Sequence, residues 1–138
     1  MKALCIFFLF PLVLWGQTER GFTGKYVFTQ TPGIYRCAGC HSPLFRSEDK
    51  YQIGCGWATF TRAHPSKSVY FLEDWKMEFK RYEVLCRKCD AHLGHVFNDG
   101  PPPKHLRFTI NSLALELEQT SPAEPSVLLP IEAPTKRP

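Results

Sequence analysis

Two short stretches of the chain, Cys37-Ala-Gly-Cys40 and Cys86-Arg-Lys-Cys89, each place two cysteines three positions apart. This Cys-x-x-Cys spacing is typical of a tight turn that directs two sulfurs toward the same place. A tetrahedral Zn²⁺ ion takes four such ligands, so we expect Cys37, Cys40, Cys86 and Cys89 to bind one structural zinc ion. Residues 41–85 then form a loop that the metal closes.

The same spacing has two other interpretations. The two cysteines of each pair could form a disulfide, which would give two bridges and no metal site. Either pair could also be a redox-active motif, but such a motif opens a helix after a strand in thioredoxin-like proteins, and neither pair does so here. Two pairs at matched spacing favour the zinc site.

Length and composition bound the architecture. A chain of 138 residues allows one domain, and a domain of this size benefits from a metal as a staple. The net charge of +4 is mild and no basic stripe with stacking aromatics is present, so we expect no nucleic-acid partner. We expect the core to draw on the aromatic residues in the middle of the chain, which are Tyr51, Trp57, Phe60, Tyr70, Phe71, Trp75, Phe79 and Tyr82.

Both ends of the chain differ from its middle. Residues 1–16 have the character of a secretory signal peptide, because Lys2 precedes an apolar run that is too short to span a bilayer. An uncleaved apolar segment that packs on the domain is the alternative. We expect an exported monomer, periplasmic or extracellular, with no membrane span after processing. We expect residues 17–118 to form the domain and the proline-rich residues 119–138 to form a disordered tail.

Period-two alternation of apolar residues predicts strands at three places. Residues 34–37 and 82–85 each run as a short strand into one of the cysteine turns. Residues 106–117 alternate in two pieces with a bend near Asn111-Ser112, which predicts two strands. The sequence therefore predicts a mainly β fold.

Cys55 is the one cysteine that belongs neither to the predicted zinc site nor to the predicted signal segment. The chain has six cysteines, of which Cys5 lies in the predicted signal segment. Gly54 and Gly56 flank Cys55, and paired glycines let the backbone take positive φ and approach a ligand or another segment closely. A lone cysteine in an exported protein is either buried and inert or a reactive thiol. Composition alone favours the inert form.

Three other residues have both a structural and a chemical interpretation. Trp57 by itself is most simply a core residue. His92 and His95 are each either structural side chains or zinc ligands, and four cysteines already complete the coordination of one ion.

Five motifs in one order carry a resemblance to a known family. They are Gly33-Ile-Tyr-Arg-Cys-Ala-Gly-Cys40, Gly54-Cys-Gly-Trp57, Cys86-x-x-Cys-Asp-Ala-His-Leu-Gly-His-Val-Phe97, Asp99-Gly-Pro-Pro-Pro103 and Arg107-Phe-Thr-Ile-Asn-Ser112. With them the chain resembles the B-type peptide-methionine (R)-S-oxide reductases over residues 24–117. The resemblance implies two antiparallel β-sheets with a four-cysteine zinc clamp away from the active site.

The resemblance also implies a reaction and its partners. In that family a thiolate attacks the sulfoxide sulfur of an oxidised methionine in a peptide or protein, while an acid helps the oxygen leave. The resulting cysteine sulfenic acid condenses with a second cysteine to a disulfide, which a thioredoxin-like donor reduces.

The matching motif positions imply roles for particular residues of this chain. By resemblance, Trp57 holds the substrate methyl group and Asn111 hydrogen-bonds in the same pocket. His95 protonates or orients the sulfoxide oxygen, and Arg107 helps to set the local electric field. Cys55 corresponds to the resolving thiol.

One departure affects the chemistry directly. The family places its attacking cysteine or selenocysteine in Arg-(Phe/Tyr)-Cys-(Ile/Val)-Asn, where this chain has Thr109. A threonine hydroxyl has no thiolate form and no stable oxidised state on this route. Lesser departures are Ala58, where proline usually follows the tryptophan, and Trp75, where some members carry histidine.

Three functions are compatible with these residues. The chain could still reduce methionine sulfoxide, with Cys55 as a relocated nucleophile and an external reductant. It could instead bind oxidised methionine without turnover, and the missing nucleophile favours weak or absent activity. A zinc-stapled structural domain without a ligand would leave the set of Trp57, His95 and Asn111 unexplained.

Overall fold

The computed structural model describes residues 18–120. The predicted signal segment 1–16 and the tail from residue 121 onward lie outside the described residues and stay predictions. Nine strands form the regular structure of the described part: β1 (Gly33–Cys37), β2 (Pro43–Arg46), β3 (Lys50–Tyr51), β4 (Ala58–Phe60), β5 (Val69–Asp74), β6 (Arg81–Cys86), β7 (His92–Phe97), β8 (Arg107–Ile110) and β9 (Leu115–Gln119). Three short 3-10 helices occupy Ser47–Asp49, Ser66–Ser68 and Ser112–Ala114.

The strands form two antiparallel sheets. The smaller sheet has the order β2-β1-β9, and the larger one has the order β3-β4-β8-β7-β6-β5. This arrangement confirms the predicted mainly β fold of two antiparallel sheets. No helix among residues 18–120 is long and apolar enough to cross a bilayer.

The three predicted strand regions are confirmed. Residues 34–37 lie in β1 and residues 82–85 lie in β6, and each strand ends at the first cysteine of a turn. Residues 106–117 divide into β8 and β9 at the 3-10 helix that follows Asn111. Gln119 pairs with Gly33 at the end of β9, so the folded domain extends one residue beyond the predicted boundary.

The predicted aromatic core is wrong for most of its members. Of that set Phe60 is fully buried, and its ring packs against those of Tyr35 and Phe45 with centroids 5.1 Å and 4.5 Å away. Trp75 is 66% exposed. The exposed members of the set all lie on the hairpin of β5 and β6, and β5 is an edge strand of the larger sheet. They are Phe71, Trp75, Phe79 and Tyr82. The core instead draws on rings from β1, β2, β4 and β8.

β7 was not predicted, and its glycine explains how it fits. Gly94 pairs with Ile110 of β8, and an added Cβ at Gly94 would overlap the main-chain carbonyl of Thr109. Absence of a side chain therefore allows β7 and β8 to approach closely. The register then places His95 opposite Thr109.

Candidate functional site

The four predicted metal ligands lie together. The Sγ atoms of Cys37, Cys40, Cys86 and Cys89 all lie within 4.8 Å of one another. The distances from Cys37 to Cys89 and from Cys40 to Cys86 are 3.6 Å, far longer than the S–S bond of about 2.05 Å. A tetrahedral Zn²⁺ with Zn–S bonds of about 2.3 Å needs sulfurs about 3.8 Å apart, so the cluster fits this ion. No disulfide is present among the described cysteines, and no histidine belongs to the cluster.

Two matching turns build the cluster. His41 donates its backbone N–H to the carbonyl of Cys37, and Asp90 donates to that of Cys86, each over 2.8 Å. Both donors have a φ of 61°, so the two turns share one conformation. Burial raises the pKa of the Cys37 thiol to about 12 and also raises that of Cys86. A cation that replaced these protons would therefore couple its binding to pH.

A second site, here called the cup, is a cavity of about 190 Å³ beside the centre of the larger sheet. It is lined by Thr18, Trp57, Arg81, Gly94, His95, Phe97, Arg107, Thr109 and Asn111. Five of the six residues predicted for the active site lie in this wall. The zinc-type cysteines lie elsewhere.

Alternation along β8 explains which side chains reach the cup. Phe108 and Ile110 are buried in the core, so Arg107 and Thr109 face the opposite side of the strand. Asn111 follows directly and is 3% exposed. The Thr109 hydroxyl donates to the carbonyl oxygen of His95 over 3.3 Å. The residue at the family's nucleophile position is therefore in the cup wall, as a neutral hydroxyl.

His95 is held by residues that the sequence analysis missed. Its Nε2 lies 2.8 Å from Oδ2 of Asp74, and the same oxygen accepts from Arg81 over 2.7 Å. The backbone N–H of Lys76, the His95 ring and Arg81 together lower the pKa of Asp74 to about 2. Burial lowers the pKa of His95, against the opposing effect of Asp74. No local pattern marks Asp74 or Arg81, since the pairing of β5 with β6 brings them together.

Arg107 is fixed by a bidentate ion pair. Its Nε and a terminal nitrogen donate to the two carboxylate oxygens of Asp99 over 2.8 Å and 3.0 Å. Its guanidinium carbon also lies 4.4 Å from the centre of the Phe97 ring. The hydrogen bond from Arg107 lowers the pKa of Asp99, so the pair stays charged. This geometry leaves the cation at the edge of the cup.

Cys55 lies outside the cup wall. Its thiol is half-buried, and Sγ lies 3.1 Å from the hydroxyl of Thr59, which pairs with Thr109 across β4 and β8. Gly54 and Gly56 on either side have φ values of 72° and 91°, as their positions led us to expect. Cys55 is thus not the fully buried residue that composition favoured, and it does not belong to the residues that line the cup.

The structure is thus a domain of two antiparallel sheets with a four-cysteine cluster and a separate cup, the arrangement that the motifs indicated. The SelR domain family matches residues 10–119. The chain is 47% identical over 107 residues to peptide methionine sulfoxide reductase MsrB of Pasteurella multocida, which covers 78% of this chain and 82% of that protein.

Two further relatives carry the same name. The protein of Azotobacter vinelandii is 50% identical over 103 residues, covering 75% of this chain and 77% of its own length. That of Pseudomonas fluorescens is 50% identical over 100 residues, covering 72% of this chain and 77% of its own length. The chain belongs to the MsrB family of peptide methionine sulfoxide reductases.

Proposed function

We propose that this protein binds methionine-R-sulfoxide side chains of peptides and proteins in the cup, with weak or absent reduction. The relatives named above are peptide methionine sulfoxide reductases, which supports the kind of ligand. One observation carries the proposal: Trp57, His95, Arg107 and Asn111 line one cavity, and Thr109 stands in the same wall. The recognition groups are together, and the expected nucleophile is a hydroxyl.

The ligand chemistry fits the groups in the wall. A methionine sulfoxide side chain has an apolar methyl group and a strongly accepting oxygen. The half-buried indole of Trp57 offers an apolar face for the methyl group. Asn111 accepts a hydrogen bond at Oδ1 from the main chain of Glu19, which leaves its amide N–H groups as donors for the oxygen.

Threonine lacks the reactivity that the family reaction requires. Reduction begins when a thiolate forms a bond to the sulfoxide sulfur, and a thiol near its usual pKa already supplies some thiolate at neutral pH. The Thr109 hydroxyl stays protonated and donates a hydrogen bond to the backbone carbonyl oxygen of His95. It also has no sulfenic acid form that a second thiol could resolve. Turnover by the usual route is therefore blocked at its first step.

The four-cysteine cluster would hold one structural Zn²⁺, whose chemistry is to cross-link β1 with β6. Removal of residues 1–16 would release an exported domain that meets oxidised proteins in an oxidising compartment. Any residual turnover would need a thioredoxin-like or small thiol reductant.

Peptide binding tests this function directly. We expect the purified protein to bind a peptide with methionine-R-sulfoxide more tightly than its S epimer or the thioether form, measured by calorimetry. Trp57→Ala should weaken that binding by about tenfold or more, the equivalent of 1.4 kcal/mol. Trp75→Ala is the matched control, because Trp75 is exposed on the β5–β6 hairpin. Equal affinity for the oxidised and reduced peptides would contradict the proposal.

A second candidate is reduction by Cys55 as a relocated nucleophile. Its favouring observation is position, because Cys55 contacts Thr59 and Thr59 pairs with Thr109. The Cys55 thiolate would bond to the sulfoxide sulfur, release methionine and become a sulfenic acid, which two external thiols reduce to thiol, disulfide and water. Turnover with dithiothreitol that disappears in Cys55→Ser, with peptide binding retained, would establish this candidate. Turnover at the uncatalysed level would exclude it.

A further inference from the structure

The segment before β1 lies against the cup on two sides. Thr18 contributes to the cup wall. Phe22 donates its backbone N–H to the carbonyl of Gly56 over 2.7 Å, and Tyr26 donates its own to the hydroxyl of Ser112 over 3.1 Å. The segment is thereby bonded to the loop before β4 and to the turn after β8.

Glu19 connects two residues of the cup through its main chain. Its N–H donates to Oδ1 of Asn111 over 3.3 Å, and its carbonyl accepts from the indole Nε1 of Trp57 over 3.1 Å. Trp57 and Asn111 come from different elements and meet the same residue of the N-terminal segment. These two bonds set the plane of the indole and the direction in which the Asn111 amide N–H groups point.

The side chain of Glu19 holds that main chain in place. Glu19 is 8% exposed, and its Oε2 accepts from the backbone N–H of Leu113 over 3.3 Å. Its other oxygen, Oε1, is buried and has no hydrogen-bond partner among residues 18–120. The carboxylate fills the space beside Gly24, where an added Cβ would overlap both Glu19 Oε1 and Ser112 Oγ. Burial of a carboxylate with one oxygen unpaired costs free energy, so this arrangement needs an explanation beyond packing.

We propose that Glu19 is a positioning residue of the cup: its buried side chain anchors the N-terminal segment on Leu113, and its main chain orients Trp57 and Asn111 for the ligand. The inference rests on the proposed function for the identity of the ligand. It stands on separate contacts, since none of the residues predicted from the motifs lies in this segment.

The test combines a ligand-free and a ligand-bound measurement. Glu19→Ala removes the anchor, whereas Glu19→Gln keeps a side chain that can still accept from Leu113. We expect Glu19→Ala to accelerate hydrogen exchange of the Trp57 indole N–H by NMR and to weaken R-sulfoxide peptide binding by about tenfold. Glu19→Gln should restore both values to within about threefold of the unchanged protein.

Controls separate positioning from general destabilisation. The indole signal is assigned by its loss in Trp57→Phe, and the exposed Trp75 indole reports exchange that should not change. Glu116→Gln is the matched control, because this exposed carboxylate lies on β9 near the same turn. Should Glu19→Ala fail to fold, Glu19→Asp, one methylene shorter, gives the same comparison and the same expected direction.

The role of Glu19 and the proposed function of the cup fail on different results. Unchanged indole exchange and unchanged affinity in Glu19→Ala would overturn the role of Glu19, with peptide binding by the cup intact. If the protein without substitutions does not bind the R-sulfoxide peptide, the proposed function is overturned. The exchange rate of the indole N–H would still decide whether Glu19 orients Trp57. Faster exchange in Glu19→Ala that Glu19→Gln fails to rescue would also count against the anchor.

Discussion

At the scale of single residues, Asp74 determines what His95 can donate. Asp74 has a pKa of about 2, so at neutral pH it is ionised and only accepts hydrogen bonds. The proton between the two groups must then lie on His95 Nε2. Because burial lowers the pKa of His95, the ring is neutral and its Nδ1 is an acceptor. Protonation of a sulfoxide oxygen by His95 would require a second proton on the ring.

The same pair predicts a pH dependence of stability. A carboxylate whose pKa is depressed in the folded state contributes stability above its unfolded pKa of about 3.9, and that contribution is lost as pH falls through about 2. We therefore expect Asp74→Asn to be less stable than the unchanged protein at pH 7, with the difference shrinking between about pH 4 and pH 2. Urea unfolding at several pH values measures the free energy of unfolding.

A control for this experiment is Glu78→Gln, since Glu78 is exposed on the hairpin loop. Its difference from the unchanged protein should stay small at every pH. A difference for Asp74→Asn that stays constant from pH 4 to pH 2 would contradict the assignment of Asp74 as a strongly stabilised carboxylate.

At the scale of elements, strands with a regular alternation of apolar and polar residues were predicted from the sequence. A strand that is buried on both faces shows no such alternation and was missed. The strands before each cysteine turn and the pair β8 and β9 show period two and were predicted. β7 was missed because Leu93, Gly94 and His95 are buried on both faces and do not alternate. Such a strand is recognised only by its neighbours, which the sequence does not display.

The close approach of β7 and β8 at Gly94 can be tested by substitution. Gly94→Ala places a methyl group against the Thr109 carbonyl, so the strands must move apart. We expect a loss of about 1–3 kcal/mol in the free energy of unfolding, together with weaker sulfoxide-peptide binding, because His95 and Thr109 face each other across this pair. Chemical denaturation and calorimetry measure the two effects.

Gly21→Ala is the matched control for that substitution. An added Cβ at Gly21 would meet the Trp57 ring at 3.6 Å, an ordinary contact distance. This variant should keep its stability and its peptide affinity. Full stability of Gly94→Ala would contradict the close approach of the two strands.

At the scale of the whole molecule, the cysteine cluster joins parts of the chain that are far apart in sequence. Cys37 ends β1 of the smaller sheet and Cys86 ends β6 of the larger one. An ion held by both turns would therefore connect the two sheets. The four-cysteine cluster was predictable because cysteine spacing is a local pattern, and the two-sheet fold was implied by the resemblance that the five motifs carry. Asp74, Arg81 and Glu19 contact residues of the cup through long-range packing that no local pattern encodes.

Metal removal tests this connection. We expect the purified protein to contain about one Zn²⁺ per chain, and chelation or Cys86→Ser to lower its melting temperature. A metal present at about a thousandfold above its dissociation constant adds about 4 kcal/mol, which for a domain of this size is about 15–30 °C in Tm. Cys55→Ser should retain the metal. Protein without near-stoichiometric Zn²⁺, or with an unchanged Tm after chelation, would refute the zinc site.

We infer that the cup is complete except for one sulfur, and the substitution Thr109→Cys restores that sulfur. The measurement is the rate at which Thr109→Cys, Thr109→Ser and the unchanged protein convert a methionine-R-sulfoxide peptide to the thioether with dithiothreitol. We expect a rate at least about a hundredfold higher for Thr109→Cys than for the other two, because loss of a nucleophile costs enzymes more than that. A zinc-loaded Thr109→Cys as inactive as Thr109→Ser, or an unchanged protein as fast as Thr109→Cys, would contradict it.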